Sequence, residues 1–130
     1  MKYFICAADG MNLAIPAERT ERVIPVSRTQ TTLCETEDRN IFISLPVLLK
    51  LKDSCAPHGI VLKAGAGEQI KTVLLVPKID IDLEIPEESI FKLPEALGDL
   101  SVYFKGACFI NQNAFLILDP DKLIKSRGLR

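Results

Sequence analysis

Tryptophan is absent from the 130 residues, and aromatic residues make up only 6% of the chain. Basic residues are not in excess either, since 16 Lys and Arg face 17 Asp and Glu and give a formal net charge of −1. A nucleic-acid-binding surface normally needs an excess of positive charge, and a single-strand binder also needs aromatic rings for base stacking. The composition therefore predicts no nucleic-acid partner.

Long uncharged apolar runs are also missing. Asp9 and Gly10 interrupt the apolar N-terminal segment well short of the length of a signal peptide or a membrane span. The run TVLLV at 72–76 has only the length of a strand. We therefore expect no membrane insertion and a cytoplasmic location.

The four cysteines do not form a metal-binding pattern. They lie at positions 6, 34, 55 and 108, without a CxxC pair, whereas zinc sites usually show closely spaced ligands. Cys6, Cys34 and Cys108 fall within apolar strand patterns, where cysteine usually packs as a small hydrophobic residue. Buried free thiols are predicted, a disulfide or redox pair is the alternative, and no metal or cofactor is expected.

Candidate catalytic residues are few. The single histidine, His58, follows Cys55 by three residues, but a Cys–His nucleophile also needs an orienting third group and an oxyanion site. A loop cysteine and a surface histidine explain the same pair. The glycines of GAGE at 65–68 lack the strand–GxGxxG–helix context of a dinucleotide site. We predict no enzyme activity, and an activated thiol at Cys55 is the remaining alternative.

Two charged segments are best explained as solvent-exposed surface. Asp80, Asp82 and Glu84 alternate with apolar residues, which is typical of the wet face of a strand, with an ion site as the alternative. The basic tail KSRGLR at 125–130 fits a frayed terminus better than a nucleic-acid or lipid anchor.

Most of the chain consists of short alternating segments separated by Gly, Pro and charged turns, which is typical of small barrels and sandwiches. The strands predicted from this pattern are 2–7, 11–15, 31–35, 41–45, 59–64, 69–76, 78–85, 102–110 and 114–118. The short helices predicted from proline in the first turn are 16–22, 47–52 and a final one after Asp119. The predicted fold class is all-β with a few short helices.

Three segments together resemble the CheW-like family, the adaptors that link chemoreceptors to the histidine kinase CheA in bacterial chemotaxis. They are MNLAIPAERTERVIPV (11–26), VLLVPKIDIDLEIPEESIFKLP (73–94) and YFKGACFINQNAFLILDPDKLI (103–124). The resemblance extends from Tyr3 to Ile124. It implies one domain over residues 1–130, built from two five-stranded SH3-like barrels with partner surfaces on the barrels and in the groove between them. The implied partners are the CheA regulatory domain and the receptor tips.

The resemblance also implies partner contacts at eight positions. They are Thr20, Arg22, Val23, Glu37, Asp38, Phe42, Val61 and Gly106. Several of these depart from the family pattern. Thr20 stands at the usual Val of the short helix, Arg22 at the usual acidic residue, and the pair Glu37–Asp38 at the usual Arg-Gly. Because charge reversal at a contact changes partner choice, the alternative function is a divergent module with a different protein partner.

Overall fold

A computed structural model describes residues 1–8, 11–27, 30, 32–50, 55–63, 69–93 and 100–126. The predicted turn at 9–10, residue 31, residues 51–54, the GAGE segment and the tail from 127 onward lie outside the described residues. The chain divides into two compact units. The first unit combines Met1–Glu18 with Asp80–Arg130, and the second unit is Arg19–Ile79.

Short strands dominate both units. In chain order they are β1 (Lys2–Ala8), β2 (Met11–Pro16), β3 (Thr20–Pro25), β4 (Cys34–Glu37), β5 (Asn40–Ser44), β6 (His58–Leu62), β7 (Lys71–Val76), β8 (Ile79–Glu84), β9 (Phe104–Ile110) and β10 (Asn113–Leu118). The α-helices are α1 (Leu45–Leu48), α2 (Leu100–Tyr103) and α3 (Pro120–Ser126), and single 3-10 turns occur at Ala17–Arg19 and Glu87–Ser89.

The first unit contains a five-stranded sheet in the order β8-β1-β2-β10-β9. β1 and β2 form an antiparallel hairpin, and β9 and β10 form another. The two hairpins join through a parallel pair in which Phe115, Leu116 and Ile117 of β10 lie opposite Asn12, Leu13 and Ala14 of β2. The first and last parts of the chain are therefore neighbours in one sheet.

The second unit repeats this layout with the order β3-β6-β7-β5-β4. β6 pairs with β3 and β7 in antiparallel fashion, β4 pairs with β5 likewise, and a parallel β5–β7 pair joins the two groups. The predicted all-β class with two five-stranded sheets is thereby confirmed. Among the described strand pairs, none closes either sheet from one edge strand to the other.

Each unit has an apolar cluster on its sheet. In the first unit the buried members are Tyr3, Ile5, Ala14, Ile85, Cys108, Phe115 and Ile117. In the second unit they are Ala56, Val61, Val73 and Leu75, with Ile24, Val26 and Phe42 packed against them. Residues 72–76 of β7 are all at most 2% exposed, so this strand is buried on both faces and shows no polar alternation.

Side-chain caps begin two helices, and α3 begins where the sequence predicts it. The Ser44 hydroxyl accepts a hydrogen bond from the Val47 amide at 3.3 Å and caps α1. The Asp119 carboxylate accepts hydrogen bonds from the amides of Asp121 and Lys122 at 3.1 and 3.3 Å, and Pro120 opens α3. Both caps satisfy amides that have no partner within the helix.

Several predicted boundaries are wrong. The helix predicted at 16–22 is only the 3-10 turn Ala17–Arg19, and the following residues extend as β3. The strand predicted at 31–35 is Cys34–Glu37, and α1 begins two residues before the predicted 47. The N-terminal end of the strand predicted at 102–110 is instead the last part of α2. β6 begins at His58, one residue before the predicted strand 59–64.

Gly106 occupies a position where a side chain would collide with backbone. A Cβ on Gly106 would lie 2.5 Å from the Phe91 carbonyl oxygen. This oxygen is fixed, since it accepts a hydrogen bond from the Ala107 amide at 2.9 Å, and the Phe91 amide donates to the Ala107 oxygen at 2.9 Å. We expect Gly106→Ala to lower the free energy of unfolding by about 1–3 kcal/mol because the strand and segment 90–91 must separate. Urea denaturation measures this change.

The control for this prediction is Ala114→Ser, which adds one atom at an exposed position of β10. It should change the free energy of unfolding by less than about 0.5 kcal/mol. An alanine variant at position 106 as stable as the parent would contradict the close approach to Phe91.

Candidate functional site

Strand register brings three of the predicted site residues into one row across the second sheet. The row runs from β3 to β4 and consists of Arg22, Val61, Val73, Phe42 and Glu35. Residues directly opposite one another on paired strands have side chains on the same face. Arg22, Val61 and Phe42 therefore share a face with a charged residue at each end of the row.

The middle of this row is core. Val61 is 2% exposed and Val73 is 1% exposed, whereas Phe42 is half-buried and packs against their cluster. Arg22 is exposed at the edge strand. A partner could thus touch Arg22 and part of Phe42, while Val61 belongs to the buried cluster against which Phe42 packs.

Glu37 and Asp38 lie at the other side of the same face. Asn40 on β5 is opposite both Lys71 on β7 and Glu37 on β4, so the three form the next row. Glu37 and Asp38 are exposed. The backbone of Asp38 has φ = 55°, which glycine adopts freely and Asp tolerates better than most residues.

The carboxylate of Glu21 on β3 interacts with three cations. Glu21 is the extra residue at a register shift between Thr20 and Arg22. Its carboxylate accepts a hydrogen bond from the Lys71 ammonium and lies 3.9 Å from the Arg22 Nε. The Lys71 hydrogen bond is the main cause that lowers the pKa of Glu21, and the charges of Lys71, Arg22 and Lys63 lower it further. One carboxylate thus faces three cations.

The charges on this face are unevenly distributed. The cations Arg22, Lys63 and Lys71 surround Glu21 toward β3, whereas the acids Glu35, Glu37 and Asp38 lie on β4 and the turn after it, where Arg39 follows Asp38. Phe42 lies between them in the row. This arrangement, which we call the bipolar face, suits a protein surface whose charges have the opposite order.

Thr20 and Val23 point to the opposite face of the sheet. The short helix predicted for Thr20 and Arg22 ends at Arg19, so both residues lie on the edge strand β3. Thr20 is opposite Leu62, and Val23 is opposite Ile60; both are out of phase with Val61. Val23 is 43% exposed, so an apolar side chain is available at this edge.

Gly106 lies in the first unit, on β9, whereas the other seven predicted residues lie in the second. It is buried, and its lack of a side chain permits the bridge to Phe91 described above. Direct contact of Gly106 with a partner stays a prediction.

Of the three cysteines predicted to be buried free thiols, Cys6 and Cys108 are buried and Cys34 is half-buried. No cysteine is disulfide-bonded, and Cys55 is exposed. Burial, followed by the charge of Asp80, raises the pKa of Cys6 to about 12. Burial also raises the pKa of Cys108. A raised pKa disfavours the thiolate, which is the reactive form.

The described residues give no support to the alternative of an ion site at Asp80, Asp82 and Glu84, or to a membrane-spanning helix. Asp80, Asp82 and Glu84 are exposed, and Glu84 accepts a hydrogen bond from the Met1 amine at 3.0 Å. Where the structure describes the chain, no three His, Cys, Asp or Glu side chains converge as metal ligands. Among the helices in those same ranges, none combines the length and apolar character needed to span a bilayer.

An exposed aromatic pair was not singled out from the sequence. The rings of Phe91 and Phe109 stack with centroids 5.8 Å apart and an interplanar angle of 18°. Phe109 is 67% exposed and Phe91 is 45% exposed. The alternation along β9 does indicate an exposed Phe109. Its two neighbours, Cys108 and Ile110, face inward, so Phe109 must face outward.

Comparison with solved structures identifies the fold. The chain is similar to the crystal structure of the scaffolding protein TtCheW from Thermoanaerobacter tengcongensis, with a TM-score of 0.73 and 13% sequence identity. The match covers 91% of this chain and 83% of the other. No family model matches the sequence, and no curated protein matches it. The fold is therefore CheW-like, as the resemblance predicted, with a strongly diverged sequence.

The backbone at Asp38 generates a stability prediction. A β-branched residue is strongly disfavoured at φ = 55°. We expect Asp38→Val to lower the free energy of unfolding by about 1–2 kcal/mol. Asp38→Gly should be tolerated, and Arg39→Val, in the same loop outside the left-handed region, is the matched control. Equal effects of valine at positions 38 and 39 in chemical denaturation would contradict the assignment.

The Glu21–Lys71 interaction generates a pH dependence. A carboxylate with a lower pKa in the folded than in the unfolded state stabilises the fold above its unfolded pKa. That contribution disappears as pH falls through the folded pKa. Glu21→Gln should therefore destabilise the protein near neutral pH and have no effect in strong acid, as thermal unfolding at a series of pH values would measure.

The control here is Glu88→Gln, on the exposed 3-10 turn of the first unit, which should leave the unfolding curves unchanged. An effect of Glu21→Gln that is the same at every pH would mean that the lysine contact contributes nothing.

Proposed function

We propose that this chain is a non-enzymatic adaptor of bacterial chemotaxis that couples chemoreceptors to the histidine kinase CheA through protein–protein contacts. The observation that carries the proposal is the likeness to a scaffolding CheW over 91% of the chain. The sequence resemblance of 73–94 and 103–124 to the same family supports it independently. In this proposal the chain acts in the cytoplasm, and residues 1–130 work as one domain.

The bipolar face supplies a means of partner choice. Separated charges steer encounter and reject partners of the wrong sign, while affinity comes chiefly from buried apolar anchors. Two apolar side chains are available as anchors. Phe42 is half-buried in the row between Arg22 and Glu35, and Val23 is exposed on the opposite face of the edge strand β3. In the proposed complex with the CheA regulatory domain, Arg22, Glu37 and Asp38 select the partner, and these apolar residues anchor it.

The proposal is tested by binding. The purified chain should bind both the isolated regulatory domain of its cognate CheA and a receptor signalling tip, measured by calorimetry and size-exclusion chromatography. A standard CheW assayed against its own partners under the same conditions is the positive control. If the chain binds neither component while the control binds both, the adaptor function is refuted.

The charge at position 37 provides a sharper prediction. Glu37→Arg restores the sign of charge found in the family and should tighten binding to the CheA regulatory domain by roughly threefold to tenfold, chiefly through faster association. Glu88→Arg makes the same charge change at an exposed residue of the other unit and should leave the affinity unchanged. Equal affinities of the parent and both variants would remove Glu37 from the interface.

A specific observation favours one alternative function. Arg22 is exposed where the family has an acidic residue, and Glu37 and Asp38 are exposed where it has Arg-Gly. Such a doubly reversed surface would suit a divergent CheW-like module that binds another protein in a different signalling or motility system. Failure to bind CheA, together with a gene neighbourhood lacking receptor and kinase genes, would favour this alternative.

A further inference from the structure

The side chains around Glu21 carry more positive than negative charge. Arg22, Lys63 and Lys71 all act on the Glu21 carboxylate and lower its pKa, so three cations share one anion. The Lys71 ammonium donates a hydrogen bond to the Glu21 Oε1, and the Arg22 Nε lies 3.9 Å from the Glu21 Oε2. The three cations, which we call the cation cluster, therefore keep an excess of positive charge.

Main-chain pairing holds the cation cluster together. The Lys63 amide donates a hydrogen bond to the Arg19 oxygen at 2.8 Å, just before β3 begins. Glu21 is the extra residue at the register shift of β3, and such a bulge redirects a side chain relative to a regular strand. From this bulge the Glu21 carboxylate reaches Lys71 on β7, although β6 lies between β3 and β7 in the sheet order.

The cation cluster is accessible to solvent. The exposed fraction of the side chain is 68% for Arg22, 38% for Lys71 and 36% for Glu21, and Lys63 is exposed as well. Exposed ion pairs contribute only modestly to stability, because water and salt screen them. Another carboxylate can therefore take the place of the Glu21 carboxylate without the loss of a buried interaction.

We propose that the cation cluster binds an acidic segment of the partner protein and that Glu21 competes with this segment for the same cations. A carboxylate of the partner forms charge-assisted hydrogen bonds with Arg22 and Lys71 and displaces the Glu21 carboxylate from the lysine. Glu21 thereby lowers the affinity for the partner. This inference rests on the proposed function, because it names the chemistry of the segment that the partner brings to the bipolar face.

The charge balance of the chain favours a short acidic segment over a long polyanion. A nucleic acid requires a broad basic surface, since each of its phosphates carries a charge. The whole chain has a formal net charge of −1, and exposed Asp38 lies on the same face. The positive charge is thus confined to the β3 side, where one or two carboxylates of a protein match it.

The test is an NMR titration of the full chain with a capped peptide of sequence EELEE and its neutral counterpart QQLQQ. At low salt the acidic peptide should shift the backbone amides of Arg22, Lys63 and Lys71 and should bind roughly fivefold more tightly than the neutral peptide. Equal binding of the two peptides, shifts confined to other residues, or no shifts at millimolar acidic peptide would overturn the proposal.

A substitution of Glu21 separates competition from a purely structural role. Although Glu21→Gln weakens the fold near neutral pH, it should tighten binding of the acidic peptide by roughly threefold to tenfold, because the cations lose their internal partner. A structural role alone predicts weaker or unchanged binding. Glu88→Gln makes the same charge change on the exposed 3-10 turn of the other unit and should leave the affinity unchanged. Equal tightening in both variants would overturn the proposal.

A substitution of Arg22 tests the cluster without disturbing the Glu21–Lys71 hydrogen bond. Arg22→Gln removes one cation at a largely exposed position, where a polar replacement hardly affects folding. It should weaken binding of the acidic peptide by roughly threefold or more and leave the neutral peptide unaffected. Unchanged binding of the acidic peptide would remove Arg22 from the site and refute the proposal.

The same variants, titrated with the CheA regulatory domain, distinguish failure of this inference from failure of the adaptor function. Tighter binding of the domain by Glu21→Gln than by the parent supports both. If the parent binds the domain and Glu21→Gln does not bind it more tightly, the competition is refuted while the adaptor function stands. If the domain does not bind but the acidic peptide behaves as predicted, the acidic-segment site stands and the adaptor function is refuted.

Discussion

The parallel pairing of β2 with β10 is the interaction on which the first unit depends. It joins residues 12–14 to residues 115–117, so a hairpin near the start of the chain and a hairpin near its end become one sheet. The same pairing places Asn12 opposite Phe115. Because such distant segments meet only after a long loop closes, we expect this unit to form late in folding.

The second unit obeys the same constraint over a shorter stretch of chain. Its parallel β5–β7 pair occupies the same place in the strand order as β2–β10, and in both units a short capped helix follows one strand of that pair. A cap residue and a proline in the first turn recur, as Ser44 with Pro46 and Asp119 with Pro120. The same local signals thus specify the same strand order in both units of this chain.

The sequence predicts the elements whose signals are local. Alternation along β8 and the cap and proline of α3 mark these elements without help from the rest of the chain. β3 and β4 were misplaced for a physical reason, because both are edge strands with much exposed surface. An edge strand wetted on both faces carries little hydrophobic periodicity, and its bounds come from pairing with its neighbour.

In the candidate site, too, the sequence predicts features that depend on neighbouring residues and misses those that depend on strand pairing. The row that unites Arg22, Val61 and Phe42 depends on register across four strands, which composition and spacing do not contain. By contrast, the positive φ of Asp38 is a conformation that glycine adopts freely, so the backbone of this turn is compatible with the Gly that the resemblance implies there. In the proposed adaptor, the charges at positions 22, 37 and 38 would therefore act on which protein is bound rather than on whether the strands form.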